Sequence, residues 1–221
     1  FKLVMTEIIL TEDGSHTLYV PELKELYHSI HGAVQESRFI FIDNGFRYSP
    51  ASPLRIFEAG FGTGLNALLT AIESSAAQRK VFYTSVEKYP LPSHITSKLN
   101  YSALFPDTAP VFSLIHSCPW NTAYDISENF TLLKQEGDLI AMKPDGLYDL
   151  IYFDAFGPDK QPEMWTDEIF EKISAITVSG GVLVTYSAKG SVQRSLKRAG
   201  FEVHLLSGPP GKRQITRAVK I

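Results

Sequence analysis

Residues 57–70, FEAGFGTGLNALLT, place three glycines between an apolar run and an amphipathic one. The run LRIFEAG, from Leu54, predicts a buried strand, and LNALLTAIESS, from Leu65, predicts a helix. In a doubly wound α/β sheet the first strand-to-helix turn lies where ligands bind, and glycines there let the backbone approach a ligand closely. The stretch therefore predicts a ligand-binding turn at the start of an α/β domain.

The spacing of Gly60, Gly62 and Gly64 argues against the common phosphate-binding turns. A dinucleotide fingerprint needs a glycine where Leu65 stands, and a P-loop ends in Gly-Lys followed by Ser or Thr. Glu58, two residues before Gly60, disfavours an anion and suits a cationic amino group. This acid-x-G-x-G-x-G turn resembles the first motif of class I methyltransferases, which bind S-adenosylmethionine. A glycine turn without a ligand is the alternative.

Further polar residues are assigned to the same cofactor site. Glu87 ends the predicted second strand, where a carboxylate can accept hydrogen bonds from both hydroxyls of an adenosine ribose. Nicotinamide-dependent enzymes share this feature, so Glu87 indicates a nucleoside cofactor without choosing between the two classes. Asp138, after the third strand, is placed to accept a bond from an adenine amino group, although such a Gly-Asp pair is also common in plain turns. Asn66, in the first turn of the predicted helix, completes the set.

Strands and helices alternate from residue 54 onward, with helices predicted after the first, second, fourth and fifth strands, the second of these over residues 91–104. This alternation predicts a mostly parallel, doubly wound α/β sheet. We predict seven strands, the last of them antiparallel and joined to the sixth through SGPPG. Residues 1–50 form an N-terminal extension, interpreted as a substrate-side cap, and residues 51–221 form the cofactor-binding domain. In the extension, TEDGS predicts a hairpin turn and residues 21–42 predict a helix, since Leu23, Leu26 and Ile30 follow helical spacing.

The fourth-strand block, YDLIYFDAFGPDKQPEMW, supplies candidates for the chemistry. Asp154 follows the predicted strand, and a carboxylate there can orient an amine and accept its proton. The alternative is that Asp154 caps the next helix. Phe156, Pro158 and Lys160 lie on a proline-rich loop and are assigned to substrate binding, Phe156 as a platform for a flipped-out base. Trp165 is interpreted as core.

Composition excludes several classes of protein. The one cysteine, Cys118, rules out an internal disulfide and a cysteine-rich zinc site. His28 and His31 are three residues apart, but no carboxylate or thiolate completes a ligand set, so no metal is expected. No apolar run approaches the roughly 18 residues of a membrane span, and the first residues lack the features of a signal peptide. Cytoplasmic residence and no membrane partner are expected.

Charge is distributed unevenly along the chain, whose net charge is −3. Eight of the 21 basic residues but only one of the 24 acidic residues fall in residues 180–221. Such asymmetry favours a face that meets a polyanion, and a solvated basic tail is the alternative.

Several segments together resemble a known family: FGTGLN, SVEKYPL, DAFGPDKQPEMWT, YSAKGSVQRSLKRAGF and GPPGKRQITRA. The chain is similar to the methyltransferase half of the bifunctional tRNA enzyme that makes 5-methylaminomethyl-2-thiouridine. The resemblance implies a class I fold and S-adenosylmethionine-dependent methylation of the aminomethyl group on a wobble uridine. It also implies the tRNA anticodon stem-loop as partner. The family's motif residues carry over to Gly60, Gly62, Gly64, Glu87, Asp138 and Asp154.

The same resemblance bears on the C-terminal segment and on the flavin. Lys212 and Arg213 match the family's basic ending, which fits a tRNA backbone. No second glycine fingerprint follows, so the chain resembles a stand-alone version that has no flavin. A separate oxidase acting upstream is expected to prepare its amine substrate. The block around Asp154 departs from the family's usual DGFAP, because Ala155 and Gly157 exchange the small residues.

Two other functions compete with this one. An aminopropyltransferase or small-molecule amine methyltransferase would share the fold and the acid after the fourth strand. A polyamine site needs several carboxylates to hold a polycation, and the basic C-terminal segment argues against such a site. A non-catalytic tRNA-binding module would lack cofactor affinity, which the glycine turn, Glu58 and Glu87 disfavour.

Overall fold

The computed structural model describes residues 6–221, so the start of the predicted first strand, in LVMTEIIL, lies outside the described residues. The strands are β1 Glu7–Leu10, β2 His16–Val20, β3 Glu25–Leu26, β4 Leu54–Ala59, β5 Val81–Glu87, β6 Tyr124–Ser127, β7 Phe130–Glu136, β8 Tyr148–Phe153, β9 Thr177–Thr185, β10 Phe201–Ser207 and β11 Gln214–Lys220. The α-helices are α1 Ala33–Ser37, α2 Leu65–Ala76, α3 Ser93–Thr96, α4 Tyr101–Leu104, α5 Ala109–Ser117, α6 Asp167–Ala175 and α7 Gly190–Arg198. A π-helix, Arg38–Phe46, continues α1, and a 3-10 helix, Pro162–Trp165, precedes α6.

The central sheet has the order β10-β11-β9-β8-β4-β5-β7-β6. β4 pairs in parallel with β5 on one side and β8 on the other, and β11 runs antiparallel to both β9 and β10. The mostly parallel sheet with an antiparallel last strand is therefore confirmed. The predicted number of seven strands was wrong, because the short edge strand β6 adds an eighth, antiparallel to β7. The turn after β4 and the ends of β5, β7 and β8 lie at the same sheet edge.

The helices of the α/β region depart from prediction between α2 and β7. The predicted helix over residues 91–104 forms the two short helices α3 and α4, and the separate helix α5 was not predicted. The helices after the first, fourth and fifth predicted strands occur as α2, α6 and α7. Prolines and loop residues explain the difference, because PLPS and FPDTAP interrupt the apolar pattern there.

In the N-terminal extension, the predicted helix over residues 21–42 was wrong in its first half. The Tyr27 backbone N–H donates to the Leu18 carbonyl at 2.9 Å, and β3 pairs with β2 instead of coiling. The first helix begins at Ala33. Leu26 and Tyr27 therefore serve strand pairing and the cavity described below, and their helical spacing is overridden by tertiary contacts.

The hydrophobic core lies in two clusters that include residues of the central sheet. One contains α2, α5 and the π-helix, and the other contains α6 and α7. The Phe41 ring of the π-helix lies 5.0 Å from the Tyr152 ring of β8. A Cβ added at Gly45 would come within 3.1 Å of Tyr152 and Val184. Residues before the predicted boundary at 50 thus share one core with the α/β region.

Candidate active site

A cavity of about 350 Å³ opens at the sheet edge where β4, β5, β7 and β8 end. The predicted site residues that line it are Gly60, Gly62, Asn66, Glu87, Asp138, Asp154, Phe156, Lys160 and Lys212. Four predicted residues are not among its lining: Glu58, Gly64, Pro158 and Arg213. The structure therefore brings most of the predicted site together, from segments that lie between Gly60 and Lys212 in the sequence.

The glycine turn adopts a backbone that other residues would strain. Gly60 and Gly62 have φ angles of +96° and +51°. A Cβ at Gly60 would lie 2.8 Å from the Asp154 carbonyl oxygen, and one at Gly62 would lie 3.1 Å from the Tyr27 ring. The turn is therefore packed between the loop after β8 and the N-terminal extension, with its backbone facing the cavity.

Gly64 has a different place in the same turn. It has a φ of +73° and is the N-cap residue of α2. A Cβ on it would lie 3.1 Å from His116 Nε2 and 3.2 Å from the Phe61 ring. Its role is to join turn and helix under these side chains, and it is not a lining residue.

Glu87 holds the glycine turn from the end of β5. Its Oε2 accepts the Gly62 backbone N–H at 3.0 Å, and its Oε1 accepts the Tyr89 backbone N–H at 2.8 Å. Burial raises the pKa of Glu87, while these backbone hydrogen bonds oppose the rise. Each oxygen retains acceptor capacity toward the cavity, since a carboxylate oxygen can accept two hydrogen bonds.

Asp138 lies beside Glu87, because the Gly137 N–H donates to the Glu87 carbonyl at 2.9 Å. One oxygen of Asp138 accepts the Ile140 N–H at 2.9 Å, and the other pairs with the Lys88 ammonium at 2.7 Å. Asp138 is thus an ordered, cavity-lining carboxylate at the predicted adenine end.

Glu58 does not reach the cavity. Its side chain is 1% exposed, with Oε1 accepting from Asn66 Nδ2 at 3.0 Å and Oε2 accepting from Ser85 Oγ at 2.6 Å. Burial raises the pKa of Glu58 to about 8. The predicted direct contact with a cationic amino group is therefore corrected, because both oxygens are engaged below the cavity floor. Glu58 is linked to the cavity lining by its hydrogen bond from Asn66.

Asn66 connects Glu58 to Asp154. Its Nδ2 also donates to Asp154 Oδ2 at 2.8 Å, so one amide bridges two carboxyl groups. Removal from bulk water raises the pKa of Asp154 well above its usual range, and the neighbouring Glu58 and Glu36 carboxylates add to the rise. Asp154 is thus a carboxyl group with a raised pKa that Asn66 fixes at the cavity wall. The alternative that Asp154 caps the next helix is wrong, because Thr166 is the N-cap of α6.

The loop after β8 is fastened at several points. Trp165 is 7% exposed and donates its indole N–H to the Phe156 carbonyl at 2.7 Å, so its interpretation as core is confirmed. The Phe156 ring lies in the cavity wall, 5.0 Å from the Tyr27 ring. Lys160 Nζ donates to the carbonyls of Leu23 at 3.0 Å and Lys24 at 3.3 Å. The ammonium of Lys160 therefore holds the N-terminal extension.

Among the other side chains that line the cavity, Tyr27, Glu36 and Tyr186 were not assigned to the site from the sequence. Tyr27 and Glu36 belong to the N-terminal extension and Tyr186 follows β9, and no functional motif marks them. Glu36 Oε1 lies 3.0 Å from Lys212 Nζ, and that ammonium lies 4.8 Å from the Tyr186 ring centroid. Lys212 therefore turns into the cavity, whereas its neighbour Arg213 is exposed.

The two histidines do not converge. His28 Nε2 lies 3.0 Å from Thr63 Oγ1, and burial lowers the pKa of His28 to about 4, which leaves the ring neutral near pH 7. His31 pairs with Glu12 at the surface. Within residues 6–221 no cluster of three His, Cys, Asp or Glu side chains is arranged to hold a metal ion. Over the same residues no helix is long and apolar enough to cross a membrane.

Comparison with known proteins agrees with the geometry of the cavity. A family model of S-adenosyl-L-methionine-dependent methyltransferases matches residues 126–221. The tRNA 5-methylaminomethyl-2-thiouridine biosynthesis bifunctional protein MnmC of Cupriavidus metallidurans is 33% identical over 96% of this chain, which covers 33% of that protein. The protein of the same name from Pseudomonas syringae pv. syringae is 31% identical over 90% of this chain and is covered to 32%. The chain thus spans about a third of the length of these relatives.

Comparison with solved structures also gives a match over most of the chain. The crystal structure of MNMC2 from Aquifex aeolicus superposes with a TM-score of 0.78 at 29% identity, covering 97% of this chain and 70% of that one. Spermidine synthase from Thermotoga maritima, with a TM-score of 0.55 at 13% identity, covers 99% of this chain and 72% of that one, and shows a shared fold alone.

The sheet order, the glycine turn and these matches show the fold of class I S-adenosylmethionine-dependent methyltransferases. Within that class, the chain is homologous to the bifunctional protein of tRNA 5-methylaminomethyl-2-thiouridine biosynthesis. The family resemblance seen in the sequence is therefore confirmed.

Proposed function

We propose that this protein transfers a methyl group from S-adenosylmethionine to the 5-aminomethyl group of the wobble uridine in tRNA. The product is 5-methylaminomethyluridine, formed in the 2-thio context that the relatives' name describes. The observation that carries the proposal is Asp154, a carboxylate fixed by Asn66 at the wall of the cavity that also holds Glu87 and Asp138. The names of the homologous proteins indicate the substrate, and the residues of the cavity indicate the chemistry.

The residues at one end of the cavity fit the cofactor. Added Cβ atoms at Gly60 and Gly62 would meet Asp154 and Tyr27 within 3.1 Å, so these glycines keep the backbone open beside the cavity. Glu87 would accept the two ribose hydroxyls, and Asp138 would accept the adenine amino group. When bound there, S-adenosylmethionine supplies a methyl group made electrophilic by its sulfonium.

Asp154 would prepare the acceptor. An aminomethyl group is largely protonated near neutral pH, and an ammonium is not a nucleophile. The raised pKa of Asp154, caused first by burial, makes this carboxylate a stronger proton acceptor than an exposed aspartate. The amine would bind as a cation against Asp154 and lose its proton to that carboxylate. Asn66 keeps Oδ2 of Asp154 engaged, leaving Oδ1 for the amine.

The finer partners are part of the proposal. We assign the tRNA contact to the anticodon stem-loop, since the wobble base must enter the cavity while the helix stays outside. Exposed Arg194, Lys197 and Arg213 offer charge for its phosphates. Catalysis uses no metal and no flavin of its own, and a separate oxidase or oxidase domain acting upstream provides the free amine.

The aminopropyltransferase alternative rests on the shared fold with spermidine synthase. A polyamine site binds a polycation, whereas this cavity holds the ammonium of Lys212 near Asp154. That cation disfavours an extended polycationic acceptor, so the alternative is not preferred.

Asp154→Asn tests the assignment, with Asp159→Asn as the matched control. Asp159 lies on the same loop but is exposed and pairs with Lys189 outside the cavity lining. Loss of the proton acceptor is expected to lower kcat by about 10²- to 10⁴-fold. Cofactor binding, measured by calorimetry, should persist, and the control should stay close to wild type. Near-normal turnover by Asp154→Asn would remove the assigned role.

A further inference from the structure

The ammonium of Lys212 lies in the acceptor half of the cavity, in contact with groups from two other parts of the chain. Lys212 belongs to the turn between β10 and β11, and its Nζ is 3.0 Å from Glu36 Oε1 of α1. The same Nζ lies 4.8 Å from the ring centroid of Tyr186, which follows β9. The Tyr186 hydroxyl donates to the Ala155 carbonyl at 2.8 Å, next to Asp154. Lys212 and Asp154 thus line one region of the cavity.

Glu36 is itself immobilised. It is 8% exposed, and its Oε2 accepts the Ser29 backbone N–H at 2.7 Å. An ammonium has three N–H donors, and a fixed carboxylate on one side leaves the others free to face the cavity. Lys212 is therefore a positioned donor rather than a freely rotating surface charge.

The other basic side chains that line the cavity, among the described residues, have different places. Lys88 pairs with Asp138 at the opposite, cofactor end. Lys160 is bound to the Leu23 and Lys24 carbonyls. His28 is neutral near pH 7, because burial lowers its pKa to about 4. Lys212 is thus the cationic donor that remains beside Asp154.

The chemistry of the acceptor says what such a donor would meet. In a 5-aminomethyluracil the carbonyl oxygen O4 stands on the carbon next to the one that bears the aminomethyl group. If the amine is bound by Asp154, O4 must lie close by. Cytosine carries an amino group at that position, which is a donor and not an acceptor.

We propose that Lys212 is a specificity residue that donates a hydrogen bond to O4 of the acceptor uracil, with Glu36 and Tyr186 positioning its ammonium. The proposal rests on the proposed function and deepens it by naming how the base is chosen. It also changes the role of Lys212, which the family resemblance had implied, together with Arg213, as a contact to the tRNA backbone. Arg213, exposed on the same turn, keeps that backbone role.

The test uses two synthetic anticodon stem-loop RNAs, identical except for 5-aminomethyluridine or 5-aminomethylcytidine at the wobble position. The ratio of their kcat/KM values is measured for the wild type and for Lys212→Met, Lys212→Arg and Arg213→Met. Wild type should prefer the uridine RNA. Lys212→Met should reduce that preference about ten- to hundredfold, as expected for a lost base contact.

The controls separate base selection from charge and from folding. Lys212→Arg retains a donor and should keep the preference, and Arg213→Met should weaken the salt dependence of RNA binding without changing the ratio. The double variant Glu36→Gln/Lys212→Met leaves no unpaired buried carboxylate, so it should fold and lose the preference as well. An unchanged ratio in either variant lacking Lys212, with S-adenosylhomocysteine still bound, would overturn the inference. Absence of methylation of both RNAs by wild type would overturn the proposed function with it.

Discussion

Glu87→Gln tests the assignment of the cofactor end of the cavity. The substitution keeps the shape of the side chain but replaces one carboxylate oxygen with an NH₂ group. In the protein both oxygens accept backbone N–H groups, from Gly62 at 3.0 Å and Tyr89 at 2.8 Å. A glutamine can satisfy one of them and must present a donor to the other, so it also loses an acceptor for a ribose hydroxyl.

The expected changes in stability and in affinity depend on which hydrogen bonds of Glu87 exist before the cofactor binds. The bonds to Gly62 and Tyr89 exist in the free protein, so their weakening lowers stability and not affinity. Removal of a buried charge offsets part of that loss, and we expect Tm to fall by no more than about 4 °C. A hydrogen bond from a ribose hydroxyl to a charged acceptor contributes about 1.5–3 kcal/mol, so Kd should rise about 10- to 150-fold.

The assay is calorimetric titration with S-adenosylmethionine and S-adenosylhomocysteine. Glu136→Gln is the matched control, because Glu136 is the register partner of Glu87 on β7 yet is exposed and outside the cavity lining. It makes the same change of charge at the same sheet edge. Equal affinities for wild type and Glu87→Gln, or equal losses in both variants, would refute the reasoning.

Three further predictions concern cofactor binding, the pH dependence of stability and the contact between Lys160 and the N-terminal extension. Gly60→Ala should abolish cofactor binding in calorimetry, because its Cβ would lie 2.8 Å from the Asp154 carbonyl at a φ of +96°; retained affinity would contradict this. Burial raises the pKa of Glu58 to about 8, so wild type should lose stability as the pH rises from the pKa of this group in the unfolded chain toward 8. Glu58→Gln should flatten this dependence of Tm on pH in thermal melts, and an unaltered pH dependence would contradict the prediction. Lys160→Met should free Leu23 and Lys24, speeding their amide exchange and cofactor release in stopped-flow; unchanged rates would exclude the tether.

Much of the fold could be predicted because local pattern and tertiary contacts agree there. The glycine turn, α2 and the parallel strands follow from apolar runs and their spacing. The segment from Pro21 to Ile30 shows the limit. Its apolar residues repeat with a helical period, but Tyr27 donates its N–H to Leu18 and covers Gly62. A partner distant in sequence decided that structure, and periodicity carries no information about it.

The site divides in the same way. Gly60, Glu87, Asp138 and Asp154 could be predicted to lie together because each lies at or just after the end of a strand, which sequence patterns locate. Glu36 and Tyr186 were missed because neither belongs to a motif, and only the packing of α1 and the end of β9 around the cavity brings them together. Glu58 had the right neighbourhood but the wrong contact, since sequence does not show that its oxygens are taken by Asn66 and Ser85.

The proposed reaction is methylation of an aminomethyl group on a wobble uridine. The most direct measurement is mass spectrometry of nucleosides from tRNA that carries 5-aminomethyl-2-thiouridine, after incubation with the protein and S-adenosylmethionine. One added methyl group on the exocyclic amine is expected with wild type and almost none with Asp154→Asn. Methylation of another position, or an unmodified wobble nucleoside despite cofactor binding by wild type, would contradict it.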